Sequence, residues 1–133
     1  MSTEGSTPMR RRRAAGWEAK PRWRIVRRGT IALGPGKADL LEAIDATWSI
    51  SAAAKRLGMS YRRAWVLVAT MNAEFRLPLV ATFARRSAGA ALTPDGSRVL
   101  RLYRRIESRS RAAVRDDAAA LLRLLARPEA RRR

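Results

Sequence analysis

Residues 49–65 read SISAAAKRLGMSYRRAW, an order that predicts two helices joined by a tight turn. The run Ala52 to Leu57 has high helix propensity, and Ser51 is its candidate N-cap. Gly58 follows directly, at the place where a left-handed residue commonly ends a helix. Ser60 then caps a second helix, so that the turn consists of Gly58-Met59-Ser60. This spacing is typical of a helix-turn-helix.

The second helix of this motif, residues 60–75, is predicted to have two different faces. Apolar side chains recur at helical spacing at Ala64, Leu67, Val68, Met71 and Phe75. The opposite face carries Arg62, Val66, Ala69 and Ala73, with Arg63 and Thr70 at its edge. Small side chains headed by arginines fit the DNA major groove, which is about 12 Å wide.

Position on the motif predicts which residues contact DNA. Recognition helices contact bases with their N-terminal residues, so we predict base contacts from Ser60, Tyr61, Arg62, Arg63, Val66 and Ala69. Contacts with phosphate are predicted from Ser51, Lys55, Arg56, Thr70, Arg85 and Arg86. Trp65 is interpreted as a packing residue beside the turn rather than a contact. The alternative for Arg62 and Arg63 is that they are ordinary solvated surface.

The chain before the motif divides into an arm, a ribbon and a helix. Residues 1–21 combine Ser, Thr, Gly and Pro with a run of arginines, and are predicted to be a disordered basic arm that either follows phosphates or aids solubility. Residues 23–33 place β-branched and aromatic side chains in partial alternation around Gly29, which indicates a strand or a bent two-strand ribbon. After the breaking sequence Gly34-Pro35-Gly36, helical spacing resumes over about residues 37–46.

The chain after the motif predicts a wing and a long helix. Residues 79–83 and 90–92 are predicted as two short strands around a basic loop that contains Arg85 and Arg86. Thr93 at the N-cap and Pro94 at the first helical position then begin a helix over residues 93–127, before a basic tail at 128–133. Such a helix has little to pack against in a monomer, so we predict dimerisation through Leu102, Ile106, Val114, Leu121, Leu122 and Leu125.

Net charge indicates a polyanionic partner. The chain has 133 residues, with 29 Lys and Arg against 11 acidic residues, a formal charge of +18. All the basic residues except Lys20, Lys37 and Lys55 are arginine, whose planar fork suits phosphate and guanine edges. A coding bias would explain the ratio of arginine to lysine but not the excess of positive charge. Double-stranded DNA is therefore the predicted partner, ahead of an anionic membrane surface.

Composition also argues against catalysis. The chain has no Cys and no His, which removes thiolates, the commonest general base and the commonest metal ligand. Its adjacent acidic pair, Asp116 and Asp117, would point about 100° apart on a helix and would not converge on one atom. We expect no enzymatic activity, cofactor or metal. No apolar run is long enough to span a membrane and the N-terminus has no apolar signal region, so a cytoplasmic, nucleoid-associated location is expected.

The segments SISAAAKRLGMSYRRAWVLVATMNAEFRLPLV and ALTPDGSRVLRLYRRI resemble the N-terminal DNA-binding domain of ModE-type molybdate-responsive regulators, a winged helix-turn-helix of the LysR-like kind. The similarity covers about residues 23–115, and its most specific parts are residues 60–65 and the pair Met71-Asn72. It implies a dimeric transcription regulator whose helix from Ser60 enters the major groove, with residues 79–92 as the wing. No segment resembling the family's C-terminal oxyanion-binding domains follows, so molybdate binding is not expected.

The sequence therefore predicts a mainly α fold with a small β component. It comprises a winged helix-turn-helix over residues 22–92 and a long C-terminal dimerisation helix. The predicted function is a sequence-specific, homodimeric DNA-binding regulator of transcription. The alternative is a structural protein that binds the nucleoid or RNA through charge, without reading bases.

Overall fold

A two-stranded ribbon is the first element among the residues that the structure describes. The computed structural model describes residues 16–83 and 89–126. Strands β1 (Ile25–Arg27) and β2 (Thr30–Leu33) pair antiparallel, with Val26 opposite Ile31 and a bulge between Ile25 and Val26. Arg28 (φ 50°) and Gly29 (φ 84°) both adopt the left-handed conformation between the strands, as tight hairpins of this kind require. The predicted bent ribbon is confirmed.

Three helices follow the ribbon: α1 (Pro35–Thr47), α2 (Ile50–Leu57) and α3 (Tyr61–Glu74). Helix α1 begins earlier than predicted because Pro35 occupies its first turn, where a missing N–H costs no hydrogen bond. It ends at Trp48, which is left-handed (φ 58°) and donates its N–H to Ile44 O.

The prediction that Ser51 caps α2 is wrong. Ser49 is the N-cap: its Oγ accepts from the N–H of Ala52 at 3.0 Å. The reason lies in packing, because Ile50 is buried and the helix must already have begun at that residue to direct it into the core. Ser51 is exposed in the first turn of α2.

The core lies where α1, α2 and α3 meet the wing strands. Its fully buried large side chains are Leu40, Leu41, Ile44, Val68, Met71, Leu79 and Tyr103. Alanines fill the closest approaches, with Ala53 of α2 and Ala64 of α3 both completely buried. Small residues at these positions allow the two helices of the predicted motif to approach closely.

The predicted wing strands are present as β3 (Val80–Thr82) and β4 (Ala90–Leu92). They pair antiparallel, with Val80 opposite Leu92, and β4 contacts α1 through the hydrogen bond from Ala90 N to Trp48 O at 3.0 Å. Arg85 and Arg86, predicted to contact phosphate from the loop between these strands, lie outside the described residues.

The single helix predicted over residues 93–127 is divided. Helix α4 (Pro94–Ala113) and helix α5 (Arg115–Arg123) are separated at Val114, which has φ −105° and ψ 11°. Asp116 and Asp117 lie in the first turn of α5, where the partial positive charge of a helix start favours acidic side chains. The apolar spacing in the sequence continues across Val114, so it did not indicate that a new helix starts there. The start of α4 is as predicted, because Thr93 Oγ1 accepts from Gly96 N at 3.0 Å.

The described chain divides into two compact units, one of which is residues 22–107. The other combines residues up to Pro21 with those from Ser108 onward, and within it Trp17 Nε1 donates to Ala126 O at 2.9 Å. No described helix is both long and apolar enough to cross a membrane. The predicted arm at 1–21 and the basic tail at 128–133 fall mostly or wholly outside the described residues.

Candidate nucleic-acid interface

The turn between α2 and α3 is fixed by Gly58. This residue is left-handed (φ 71°, ψ 29°), and the N–H of Met59 reaches back to Ala54 O at 3.0 Å. The Gly58 N–H bonds Lys55 O at 3.2 Å, so the pair satisfies carbonyls that the end of a helix leaves free. A Cβ on Gly58 would meet no atom within 4 Å, which means that backbone conformation alone favours glycine here.

Helix α3 begins at its predicted cap. Ser60 is extended (φ −72°, ψ 155°), and its Oγ accepts from Arg63 N at 3.0 Å. No acidic residue lies in the first turn of α3, and Tyr61, Arg62 and Arg63 are all exposed. Neither guanidinium forms an ion pair within the described residues. The helix therefore presents a positive, unshielded N-terminal end.

The two predicted faces of α3 differ in burial as expected. Ala64, Val68 and Met71 are buried, and Leu67 and Phe75 pack against the core from its edge. The opposite face is open, with Val66 57% exposed and Ala69 exposed. Of the residues predicted to contact bases, Arg62, Val66 and Ala69 lie on this open face. The other three, Ser60, Tyr61 and Arg63, are exposed around the N-terminal end of the helix. Their contacts with DNA remain predictions.

Trp65 packs differently from the sequence interpretation. Its ring meets the ring of Tyr61, one turn earlier, edge to face, with centroids 6.2 Å apart and planes at 80°. Trp65 is 38% exposed and Tyr61 is 53% exposed, so the pair lies beside the open face and outside the core. The predicted packing of Trp65 is therefore limited to its contact with the Tyr61 ring on the protein surface. Because Trp65 is i+4 from Tyr61, helical geometry rather than core burial produces it.

The side chains that are predicted to contact phosphate from α2 and α3 differ in whether their polar groups already form hydrogen bonds. Ser51, Lys55 and Arg56 are all exposed. Arg56 also lines a groove of about 210 Å³ with Asp39 and Glu42, but the carboxylates of these two residues bond Arg104 instead. Thr70 donates its hydroxyl proton to Val66 O at 2.8 Å. Because phosphate oxygens only accept hydrogen bonds, Thr70 must change rotamer before it donates to one.

Asn72 is a positioning residue whose role the sequence did not reveal. Its Oδ1 accepts from Leu79 N at 2.8 Å and from Val80 N at 3.1 Å, and its Nδ2 donates to Val80 O at 3.0 Å. The side chain thereby ties α3 to the first residues of the wing. The only signal in the sequence was that Met71-Asn72 belongs to the most specific part of the family resemblance.

Arg104 fixes α4 against α1 in a similar way. Its guanidinium donates to Asp39 Oδ1 at 2.8 Å, to Glu42 Oε1 at 2.6 Å and to Glu107 Oε1 at 3.0 Å. Partial burial lowers the pKa of Arg104, but hydrogen bonds to Asp39, Glu107 and Glu42 outweigh it and raise the pKa above its ordinary value. Arg104 remains charged at any physiological pH. Nothing in the spacing of these residues indicated that they would meet.

Apolar side chains are exposed on α4 and α5. Leu102 is 42% exposed and Ile106, one turn later, is 38% exposed. Of the other residues predicted to mediate dimerisation, Val114, Leu121 and Leu125 are exposed and Leu122 is partly buried. Among residues 16–83 and 89–126, no group of three or more acidic residues is arranged to hold a metal ion.

Comparisons with known proteins agree with this arrangement. Residues 37–97 match the family described as bacterial regulatory helix-turn-helix proteins of the lysR family. The chain is 38% identical over 86 residues to the molybdenum-pterin-binding protein MopB of Rhodobacter capsulatus, which covers 63% of this chain and 32% of MopB. It is 36% identical over 90 residues to the DNA-binding transcriptional dual regulator ModE of Escherichia coli K12, covering 64% of this chain and 34% of ModE.

A solved structure shares the fold. The structure described as a CbnR_DBD–DNA complex superposes with a TM-score of 0.52 at 29% identity, and the match covers 64% of this chain and 95% of that one. The chain spans about a third of the length of MopB and ModE, so these similarities concern the helix-turn-helix region. Residues 37–97 thus match the lysR-type helix-turn-helix family, and the sequence of this region is similar to that of ModE and MopB.

Proposed function

We propose that this protein is a DNA-binding regulator of transcription that reads its site with α3 in the major groove. The observation that carries the proposal is the open face of α3, which starts at the Ser60 cap and continues through Val66 and Ala69. The face combines unpaired arginines at a helix start with small or apolar side chains. Such a surface suits guanine edges, thymine methyl groups and a groove with negatively charged walls.

Within this proposal the candidate residues have distinct roles. Arg62 and Arg63 donate bidentate hydrogen bonds to guanine, while Val66 and Ala69 contact thymine methyl groups. Ser60 and Tyr61 contact base edges beside them. Ser51 and Lys55 meet phosphate from α2, with Arg56, Thr70, Arg85 and Arg86 as further predicted phosphate contacts.

We further propose that two copies of the chain bind together. Leu102 and Ile106 form an exposed apolar pair on α4, and a contact between equivalent pairs would bury them in a symmetric interface. A dimer of this kind would read an inverted repeat with half-site centres about 10 to 10.5 base pairs apart, or a multiple of that distance. The predicted continuation of this interface consists of the exposed Val114, Leu121 and Leu125 and the partly buried Leu122.

The proposal concerns binding and not catalysis. The lack of His and Cys removes thiolate nucleophiles and the commonest general base, so catalysis would have to rest on carboxylates, lysines or hydroxyls. We carry over DNA binding from the relatives but not molybdate or pterin binding, since the similarity covers only 32% of the length of MopB. A cytoplasmic location on the nucleoid follows from the proposed activity.

The deciding experiment is selection of bound fragments from the source genome, followed by salt titration on a selected fragment and on a random duplex. With 6 to 10 phosphate contacts, both affinities should fall by roughly 10³ to 10⁵ between 50 and 200 mM salt. A regulator should retain a preference of about 10³ or more for the selected fragment. Equal affinity for both duplexes at every salt concentration would instead indicate a non-specific nucleoid or RNA-binding protein.

A further inference from the structure

The ribbon β1–β2 lies beside the proposed recognition helix, on the side opposite the wing. Asn72 of α3 binds β3, as described above, whereas β2 contacts α3 directly. Lys37 Nζ donates to Ile31 O of β2, and burial lowers the pKa of Lys37 while the nearby Glu74 carboxylate partly opposes this. Glu74 of α3 is therefore close to the Lys37 ammonium group that binds the ribbon. At 100° per residue, Val66 lies about 120° from Asn72 and about 80° from Glu74, so the open face is between the two hairpins.

The turn of the ribbon carries unpaired positive charge. Arg27 and Arg28 are exposed at the tip, and neither forms an ion pair or a side-chain hydrogen bond within the described residues. The same holds for Arg24 on the segment leading into β1. In the wing, Arg85 and Arg86 occupy the corresponding place in sequence, on the loop between the two strands.

Arg28 occupies a backbone conformation that its side chain disfavours. Its φ of 50° is in the left-handed region, where the Cβ of an L-residue comes too close to the following carbonyl oxygen. Asn or Asp followed by Gly is the usual choice for such a turn. In this turn the position before Gly29 is instead occupied by arginine, whose side chain is long and positively charged. A strained arginine at an exposed tip favours a role for its side chain in binding.

We propose that the β1–β2 hairpin is a second phosphate-binding arm, in which Arg27 and Arg28 contact the DNA backbone on the side of α3 opposite the wing. The inference rests on the proposed DNA-binding function. Phosphate suits these two guanidinium groups because each is free to form a bidentate, charge-assisted hydrogen bond. The contact would add affinity and orientation without reading sequence.

Exposed apolar side chains on the same ribbon favour one other occupant, a second copy of this chain. Ile25, Val26 and Ile31 are 47%, 53% and 38% exposed. Pairing through this surface would bring the arginine tips of two chains of net charge +18 near each other, which electrostatic repulsion opposes. A polyanion meets no such repulsion, and this difference decides between the two occupants.

The test compares two double variants of the full chain on a random-sequence duplex of about 30 base pairs. Arg27→Ala/Arg28→Asn removes the two tip cations, and asparagine suits the left-handed position, so the hairpin is retained. Arg98→Ala/Arg101→Ala is the control, since it removes the same charge from exposed positions on α4. Affinity is measured by fluorescence anisotropy from about 50 to about 300 mM salt, and sedimentation gives the oligomeric state.

The expected result is a salt slope for the hairpin variant that is shallower by about two, at about 0.9 per lost phosphate contact, with affinity roughly ten- to a hundredfold lower near 100 mM salt. The control should retain the slope of the unmodified chain. An unchanged slope, or equal losses in both variants, would overturn the proposal. A change in sedimentation with an unchanged slope would assign the ribbon to a second copy instead.

The proposed function and the hairpin proposal fail in different ways. Preference for a selected genomic fragment over the random duplex tests the function, and the hairpin variant should keep that preference. If the unmodified chain shows no preference, the regulator proposal fails while the salt slopes still decide the hairpin. If the unmodified chain binds no duplex at all, both proposals are wrong.

Discussion

Asn72 on α3 holds both polar atoms of the Val80 backbone: its Nδ2 donates to Val80 O at 3.0 Å and its Oδ1 accepts from Val80 N at 3.1 Å. The same Oδ1 accepts from Leu79 N, so one side chain satisfies three backbone groups at the base of the wing. This amide therefore helps to fix the angle between α3 and the first wing strand, together with the burial of Leu79 and Val80 in the core. In the proposed DNA complex, the same connection would help to align α3 with the groove and the wing with the backbone.

Asn72→Ala should destabilise the protein by about 1 to 3 kcal/mol, because it leaves the partly buried N–H groups of Leu79 and Val80 without their acceptor. Asn72→Asp keeps the acceptor but replaces the donor with a carboxylate oxygen that repels Val80 O, so it should also be destabilising. Urea unfolding followed by circular dichroism measures both. The matched control is Thr70→Ala, which removes one exposed hydrogen bond on the same helix. Equal stability of all three variants would show that the amide does not hold the wing.

Gly96→Ala should be strongly destabilising. A Cβ at Gly96 would lie 2.1 Å from Leu79 O, and this backbone oxygen is already bonded to Thr93 N at 2.9 Å. Relief of the clash requires the start of α4 to move away from the segment before β3, at an expected cost of at least about 3 kcal/mol.

Gly36→Ala is the control for that substitution. Gly36 lies in α1, and a Cβ there would meet nothing within 4 Å. Alanine should therefore be neutral or stabilise by about 0.5 to 1 kcal/mol through helix propensity. Thermal or urea denaturation should give a clearly lower midpoint for Gly96→Ala than for Gly36→Ala. Similar midpoints would contradict the packing of Gly96 on Leu79.

Arg62→Ala should cost about 1 to 3 kcal/mol of binding free energy and relax specificity at one base position. The reason is the loss of a bidentate contact with one guanine. Binding of a pool of operator variants, sequenced before and after selection, measures the change at each position. If binding to all sequences weakened equally, Arg62 would be reassigned to phosphate.

Lys55→Ala and Arg85→Ala are the matched comparison for Arg62→Ala. Both residues are predicted to meet phosphate, which has the same charge at every base pair. Each variant should weaken binding to selected and random duplexes alike and reduce the salt slope by about one. Altered preference at a single base position in either variant would contradict its predicted role.

Leu102→Ser/Ile106→Ser should shift the protein towards monomer. If these exposed side chains are buried between two copies, their loss from both copies should raise the dimer dissociation constant at least about a hundredfold. Sedimentation equilibrium measures this directly. Arg105→Ser, between them on the same helix, is the control, and Leu121→Ser/Leu125→Ser tests the predicted continuation. A monomeric unmodified chain would end the dimer proposal.

The sequence by itself determined the features that depend on near neighbours. Gly58 after an alanine-rich run, Ser60 before an apolar stripe, and Thr93 before Pro94 located two helix starts and one helix end correctly. Caps, left-handed glycines and helical spacing involve residues within about four positions of each other, so they can be recognised without knowledge of the fold. The open face of α3 followed from the same spacing.

Tertiary structure decided everything that joins distant segments. Arg104 meets Glu42 across 62 residues, and Asn72 meets the wing across a chain reversal that spacing does not predict. The choice of Ser49 over Ser51 as cap depended on where Ile50 is buried, and the position of the basic ribbon beside α3 depended on the packing of β2. These outcomes depend on which surfaces meet when the core forms. A local sequence pattern does not show which distant residues will pack against it.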